Sequence, residues 1–95
     1  MKFQGKTALI TGSGTGIGKA IATKFVENGA SVIILGRRRE PLEEASKDLE
    51  QIISEKNSGA SVKIFAGVDV ADESAMNEMF DAIKNDNINV DYIIN

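Results

Sequence analysis

Four short apolar runs, separated by three stretches of helical periodicity, constrain this chain more than any other feature. The first run, Thr7–Thr11, is mostly apolar and enters a cluster of glycines. Ile17, Ile21 and Phe25 then recur at helical spacing with Ala20 and Ala22 beside them, so a helix is expected over Ile17–Asn28. Asn28-Gly29 should close it, because glycine accepts the left-handed conformation that ends many helices. The second run, Ser31–Leu35, is too short for a helix and rich in β-branched residues. Pro41 suits the first turn of the next helix, where a missing N–H costs nothing. Leu42, Ala45, Leu49 and Ile52 or Ile53 give that helix, Pro41–Lys56, one apolar face, and Asn57-Ser58-Gly59 stops it. Val62–Ala66 reads as a third strand. Asp72 is placed to cap a third helix, Asp72–Asn85. The apolar stripe of that helix is Met76, Met79, Phe80 and Ile83, spaced i, i+3, i+4, i+7. Val90–Ile94 reads as a fourth strand.

The order is thus β-α-β-α-β-α-β. Near-continuous apolar strands alternating with amphipathic helices indicate a parallel sheet covered on both faces. Right-handed crossovers leave few topologies. The expected fold class is α/β, a Rossmann-like doubly wound parallel sheet in strand order 3-2-1-4, read as one domain over 1–95.

Composition narrows the chemistry. The chain has no cysteine, which excludes disulfides and thiolate metal sites, and no histidine, which removes the commonest general base and metal ligand. No metal site is expected. A net charge of −3 is too small to steer the molecule to nucleic acid or a membrane. No apolar segment approaches the roughly 20 residues of a membrane span. The start, Met1-Lys2-Phe3-Gln4-Gly5-Lys6, does not read as a signal peptide. A cytoplasmic location is expected.

Between the first strand and the first helix lies Thr11-Gly12-Ser13-Gly14-Thr15-Gly16-Ile17-Gly18. At such a junction free backbone N–H groups and the helix dipole favour an anion, usually a pyrophosphate. Glycine permits close approach of backbone to phosphate. The strict pattern G-x-G-x-x-G fails in every frame, because Ile17, Lys19 and Ile21 stand where its last glycine belongs. The phosphate-loop pattern G-x-x-x-x-G-K-[ST] fails at Ser13 and Ala20. The pattern that fits is T-G-x-x-x-G-x-G, at Thr11, Gly12, Gly16 and Gly18.

With this motif the chain resembles the short-chain dehydrogenase/reductase family along its whole length. Asp69-Val70 stands where the family carries an Asp at the end of its third strand. The run Val90 to Ile94 followed by Asn95 resembles the strand that enters the family's Asn-Asn-Ala-Gly motif, with the first Asn alone present. The resemblance implies that Gly12, Ser13, Gly14, Thr15, Gly16, Ile17 and Gly18 hold a pyrophosphate. It implies that Asp69 and Val70 flank an adenine, and that Asn95 supports the ribose side. The family's catalytic Ser, its Tyr-x-x-x-Lys pair and a further Asn would all fall beyond position 95, so the resemblance implies that 1–95 is an incomplete domain, truncated after the fourth strand. No catalytic residue is therefore assigned, and the chain alone is expected to be inactive. Tyr92, the sole tyrosine, is expected to be a core strand residue. The resemblance also implies a homo-oligomeric parent.

An acidic residue after the second strand binds the ribose 2′-OH of NAD and repels the 2′-phosphate of NADP. Here that position is Gly36, followed by Arg37 and Arg38. Guanidinium groups match phosphate through paired, charge-assisted hydrogen bonds, so NADP(H) is favoured over NAD(H). Arg39 is expected at the surface, paired with a nearby glutamate, and Lys19 is expected to be a surface lysine. The leading reading is the cofactor-binding half of an NADP(H)-dependent oxidoreductase acting on a carbonyl, an alcohol or an activated double bond. Two alternatives stand beside it: a nucleotide-binding module without turnover, and half of an S-adenosylmethionine-binding methyltransferase, against which the arginines argue.

Overall fold

The computed structural model describes residues 1–12 and 16–94. The order is β1 (Thr7–Thr11), α1 (Gly16–Glu27), β2 (Ser31–Gly36), α2 (Arg39–Lys56), β3 (Val62–Ala66), α3 (Glu73–Asn85) and β4 (Tyr92–Ile94). The strands form one parallel sheet in the order β3-β2-β1-β4. The expected topology is therefore observed. The element ends differ from expectation by one or two residues. Thus α2 begins at Arg39, two residues before Pro41, since proline is accommodated anywhere in the first turn.

Alternation along the strands splits the core between the two faces. Ala8, Ile10, Val32 and Ile34 point to α1 and α2 and pack with Ala22, Val26, Leu42 and Leu49. Leu9, Ile33 and Leu35 point to the other face, against Met79 and Ile83 of α3. Each such aliphatic side chain contributes about 1.5–3 kcal/mol on burial, so β1 and β2, buried on both faces, dominate the core.

Two sequence expectations are corrected. Ile17, expected on the buried stripe of α1, is 80% exposed; Ala22 and Val26 form that stripe, with Ile21 and Phe25 partly buried. Ile17 lies in the first turn of α1, where its side chain borders an open cleft with Thr11 and Ile94 and does not join the core cluster. Tyr92, expected in the core, is 38% exposed. It sits at the start of an edge strand and packs beside Phe3 and Phe25, with ring centroids 5.6 and 5.5 Å away. In α3 the stripe is graded: Met79 and Ile83 are buried, Met76 is half-buried and Phe80 lies at the exposed margin.

Candidate functional site

A parallel ladder brings the C-terminal ends of its strands to one edge, and the turns that leave them must lie side by side. Here Thr11 pairs with Leu35, and Leu35 with Phe65, so the ends of β1, β2 and β3 are level. Thr11 and Gly12 from β1, residues 35–38 from β2 and its turn, Pro41 and Leu42 from α2, and residues 68–70 beyond β3 line one cleft of about 450 Å³. A second cleft of about 590 Å³ adjoins it, lined by residues 10–12, residues 16–18, Ile21 and Ile94. Thr11 and Gly12 belong to both clefts and form their common wall.

Each boundary has a local cause. Gly12 leaves β1 with φ +65, and a Cβ there would meet nothing within 4 Å among the described residues. Its glycine answers to backbone conformation, not to crowding. After β2, Arg38 occupies the N-cap of α2 with extended backbone and no side-chain capping bond. The first N–H groups of α2 are thus left without a side-chain acceptor, in a position that favours an anion. Arg37 and Arg38 are exposed. Among the described residues neither guanidinium makes an ion pair or a side-chain hydrogen bond. Arg39 instead meets Glu43 at 3.7 Å, one helical turn on, as expected of a surface pair.

The turn after β3 is internally braced. Asp69 Oδ1 accepts from the Ala71 N–H at 2.9 Å, and the Asp69 carbonyl accepts from the Asp72 N–H at 2.9 Å. Asp72 in turn caps α3, its Oδ1 accepting from the Ala75 N–H at 3.2 Å. Val70, at the lip of the cleft, is 56% exposed.

Of the residues singled out from sequence, Gly12, Arg37, Arg38, Asp69 and Val70 share the first cleft, and Gly12, Gly16, Ile17 and Gly18 share the second. Ser13, Gly14, Thr15 and Asn95 lie outside the described residues. The sequence reading missed the apolar part of the first cleft, made by Leu35, Pro41, Leu42 and Val68. Leu35 and Leu42 read equally well as core, which they also are, each being at most 1% exposed. The available signal was their position, at the last apolar residue of β2 and the first of α2. Lys19 is turned away to pair with Asp48 on α2. Among the described residues no group of three or more Asp or Glu side chains could hold a metal ion, and no helix is long and apolar enough to cross a membrane.

A doubly wound parallel sheet with paired clefts at its strand ends defines the class: an α/β protein of the open, crossover-connected kind. Residues 6–95 match the short chain dehydrogenase family, and the chain belongs to that family. It is 42% identical over 81 residues to a probable 2,4-dienoyl-CoA reductase of Caenorhabditis elegans, covering 85% of this chain and 24% of that protein. It is 40% identical over 80 residues to an NADP-dependent (R)-specific alcohol dehydrogenase of Lentilactobacillus kefiri, covering 84% of this chain and 29% of the relative. Among solved structures, L-sorbose reductase of Gluconobacter frateurii, complexed with NADPH and L-sorbose, superposes with a TM-score of 0.83 at 32% identity, covering 100% of this chain and 35% of that one. The chain thus spans roughly a quarter to a third of the length of these relatives.

Proposed function

We propose that this chain is the dinucleotide-binding part of an NADP(H)-dependent oxidoreductase of the short-chain dehydrogenase family. The observation that carries the reading is the first cleft. It joins an apolar side to two exposed arginines that have no ion-pair partner among the described residues, and no carboxylate stands at the end of β2. The fit is chemical. Pro41, Val68 and Val70, backed by buried Leu35 and Leu42, offer apolar surface of the kind an aromatic base needs, and among the described residues Asp69 keeps one carboxylate oxygen outside the turn hydrogen bonds to meet an amino group. Arg37 and Arg38 supply charge-assisted donors for a ribose phosphate, and the first turn of α1 with Gly12, Gly16 and Gly18 offers backbone to a pyrophosphate. A volume of about 450 Å³ lies within the range of about 300–1,000 Å³ typical of small-molecule sites. The NADPH and NADP named for two of the similar proteins support the same choice.

When bound, a nicotinamide cofactor supplies or accepts the hydride. The chain's own residues would bind and orient it: the second cleft, with exposed Ile17 and partly buried Ile94, presents an apolar wall beside the glycine turn. A proton donor at the reacting oxygen is a separate requirement. Tyr92 does not meet it, since it lies in an aromatic cluster at the start of β4, and neither cleft includes it among its lining residues. Hydride transfer to a carbonyl or enoyl substrate is accordingly proposed for the longer protein. The test is calorimetric titration of this chain with NADPH and NADH. NADPH should bind at least about tenfold more tightly, in line with a charge-assisted contact. Equal affinities, or no binding of either, would overturn the reading.

A further inference from the structure

We infer that the first cleft also accepts 3′-phosphoadenosine nucleotides, so that adenosine carrying a 3′- and a 5′-phosphate competes with the dinucleotide for this chain. The inference rests on the proposed binding of a 2′-phosphoadenosine in that cleft and extends its ligand range.

Selectivity between these phosphates depends on what reads the ribose. The 2′ and 3′ oxygens of one ribose are neighbours, and a site tells their phosphates apart only if something fixed addresses the oxygen that stays free. A carboxylate after β2 is such a group, because it accepts a hydrogen bond from a free hydroxyl and repels a phosphate placed there. This chain has Gly36 at that point, with no side chain at all. The cationic groups that remain are not fixed. Arg37 and Arg38 are both exposed, and among the described residues no hydrogen bond or ion pair restrains either guanidinium. Arg38 sits at the N-cap of α2, so its side chain leaves the backbone before the helix can constrain it. Each is a long side chain with several rotatable bonds, able to follow a phosphate from one ribose oxygen to the next at the cost of a rotamer change. The first N–H groups of α2, without a side-chain cap, add positive potential to the same end of the cleft and are indifferent to which oxygen bears the charge. The apolar side of the cleft, in contrast, is fixed: Val68 is 9% exposed and packs in one core cluster with fully buried Leu35. A rigid base site joined to mobile cations selects for a phosphoadenosine and reads its regiochemistry poorly.

The experiment titrates the purified chain with adenosine 2′,5′-bisphosphate, adenosine 3′,5′-bisphosphate, 5′-AMP and coenzyme A. The two bisphosphates should bind within about tenfold of each other, and each at least about tenfold more tightly than 5′-AMP, as expected for one added charge-assisted contact. Changing both Arg37 and Arg38 to Ala should reduce both bisphosphates to the level of 5′-AMP. Coenzyme A, which carries the same 3′-phosphate, identifies the source: binding comparable to the 3′,5′-bisphosphate points to the coenzyme, and binding of the bisphosphate alone points to the free nucleotide. If the 2′,5′-bisphosphate exceeds 5′-AMP and the 3′,5′-bisphosphate does not, the inference is overturned and the proposed function stands. If neither exceeds 5′-AMP, both fall.

Discussion

Val68 donates its backbone N–H to the carbonyl of Gly36 at 3.1 Å, which ties the turn after β3 to the end of β2 across the floor of the first cleft. Packing of Val68 with Ile33 and Leu35 of β2 supports the same connection. The bond uses the backbone of Gly36 and leaves its missing side chain as the open variable of the site.

That variable can be tested directly. A Cβ at Gly36 would lie 3.6 Å from Leu42 Cδ2, an ordinary contact, and Gly36 does not have positive φ. Gly36→Asp should therefore fold normally. It should weaken NADPH binding by about tenfold or more through repulsion of the 2′-phosphate, and preserve or improve NADH binding through the ribose hydroxyl. Calorimetry with both cofactors checks it; equal losses would show that the carboxylate does not face the ribose.

Arg37→Ala should cost about 1.5–3 kcal/mol in NADPH binding and leave NADH nearly unchanged, because one charge-assisted contact is removed from one ligand and not the other. The NADPH affinity of the unmodified chain should also fall more steeply with added salt than that of the variant. A variant that loses both cofactors alike would place Arg37 outside the phosphate contact.

Gly29 closes α1 with φ +91, and a Cβ there would lie 2.8 Å from Gln4 Oε1 and 3.0 Å from Met1 Cβ. Gly29→Ala should lower stability by about 1–3 kcal/mol, combining left-handed strain with displacement of the N-terminal segment. Thermal unfolding measures it. Pairing the change with Gln4→Ala should recover only the steric part, so full recovery would contradict the backbone argument.

Asp72→Ala should cost about 1 kcal/mol by removing the acceptor that caps α3 at the Ala75 N–H. Asp72→Asn should recover most of it, since the amide oxygen can accept the same bond. Chemical denaturation of the three proteins decides; indistinguishable midpoints would mean that the cap contributes nothing.

β4 pairs with β1 on one side and, among the described residues, with nothing on the other, while Ile93 beside it is 57% exposed. An open apolar edge invites pairing with another chain. Sedimentation should show self-association of this chain rising with concentration, and Ile93→Lys should reduce it. A monomer at all concentrations would refute the edge argument.

By itself the sequence determined the alternation of elements, the parallel sheet and its strand order, because strand and helix periodicities are local and right-handed crossovers leave little choice once they are known. It also placed the glycine turn, the two arginines and Asp69-Val70 at the ends of consecutive strands. Only the tertiary structure decided which apolar residues serve as floor and which as lip. Leu42 and Ile17 are both aliphatic residues near the start of a helix. Leu42 is 1% exposed because it packs back against Gly36, whereas Ile17 borders an open cleft at the strand ends and is 80% exposed. The tertiary structure likewise turned Lys19 towards Asp48 and Arg39 towards Glu43 while leaving Arg37 and Arg38 without such partners among the described residues. Periodicity identifies the apolar side of a helix, but where the helix starts relative to the strand beneath it depends on the length of the turn and on crossover packing, which are set by contacts distant in the chain.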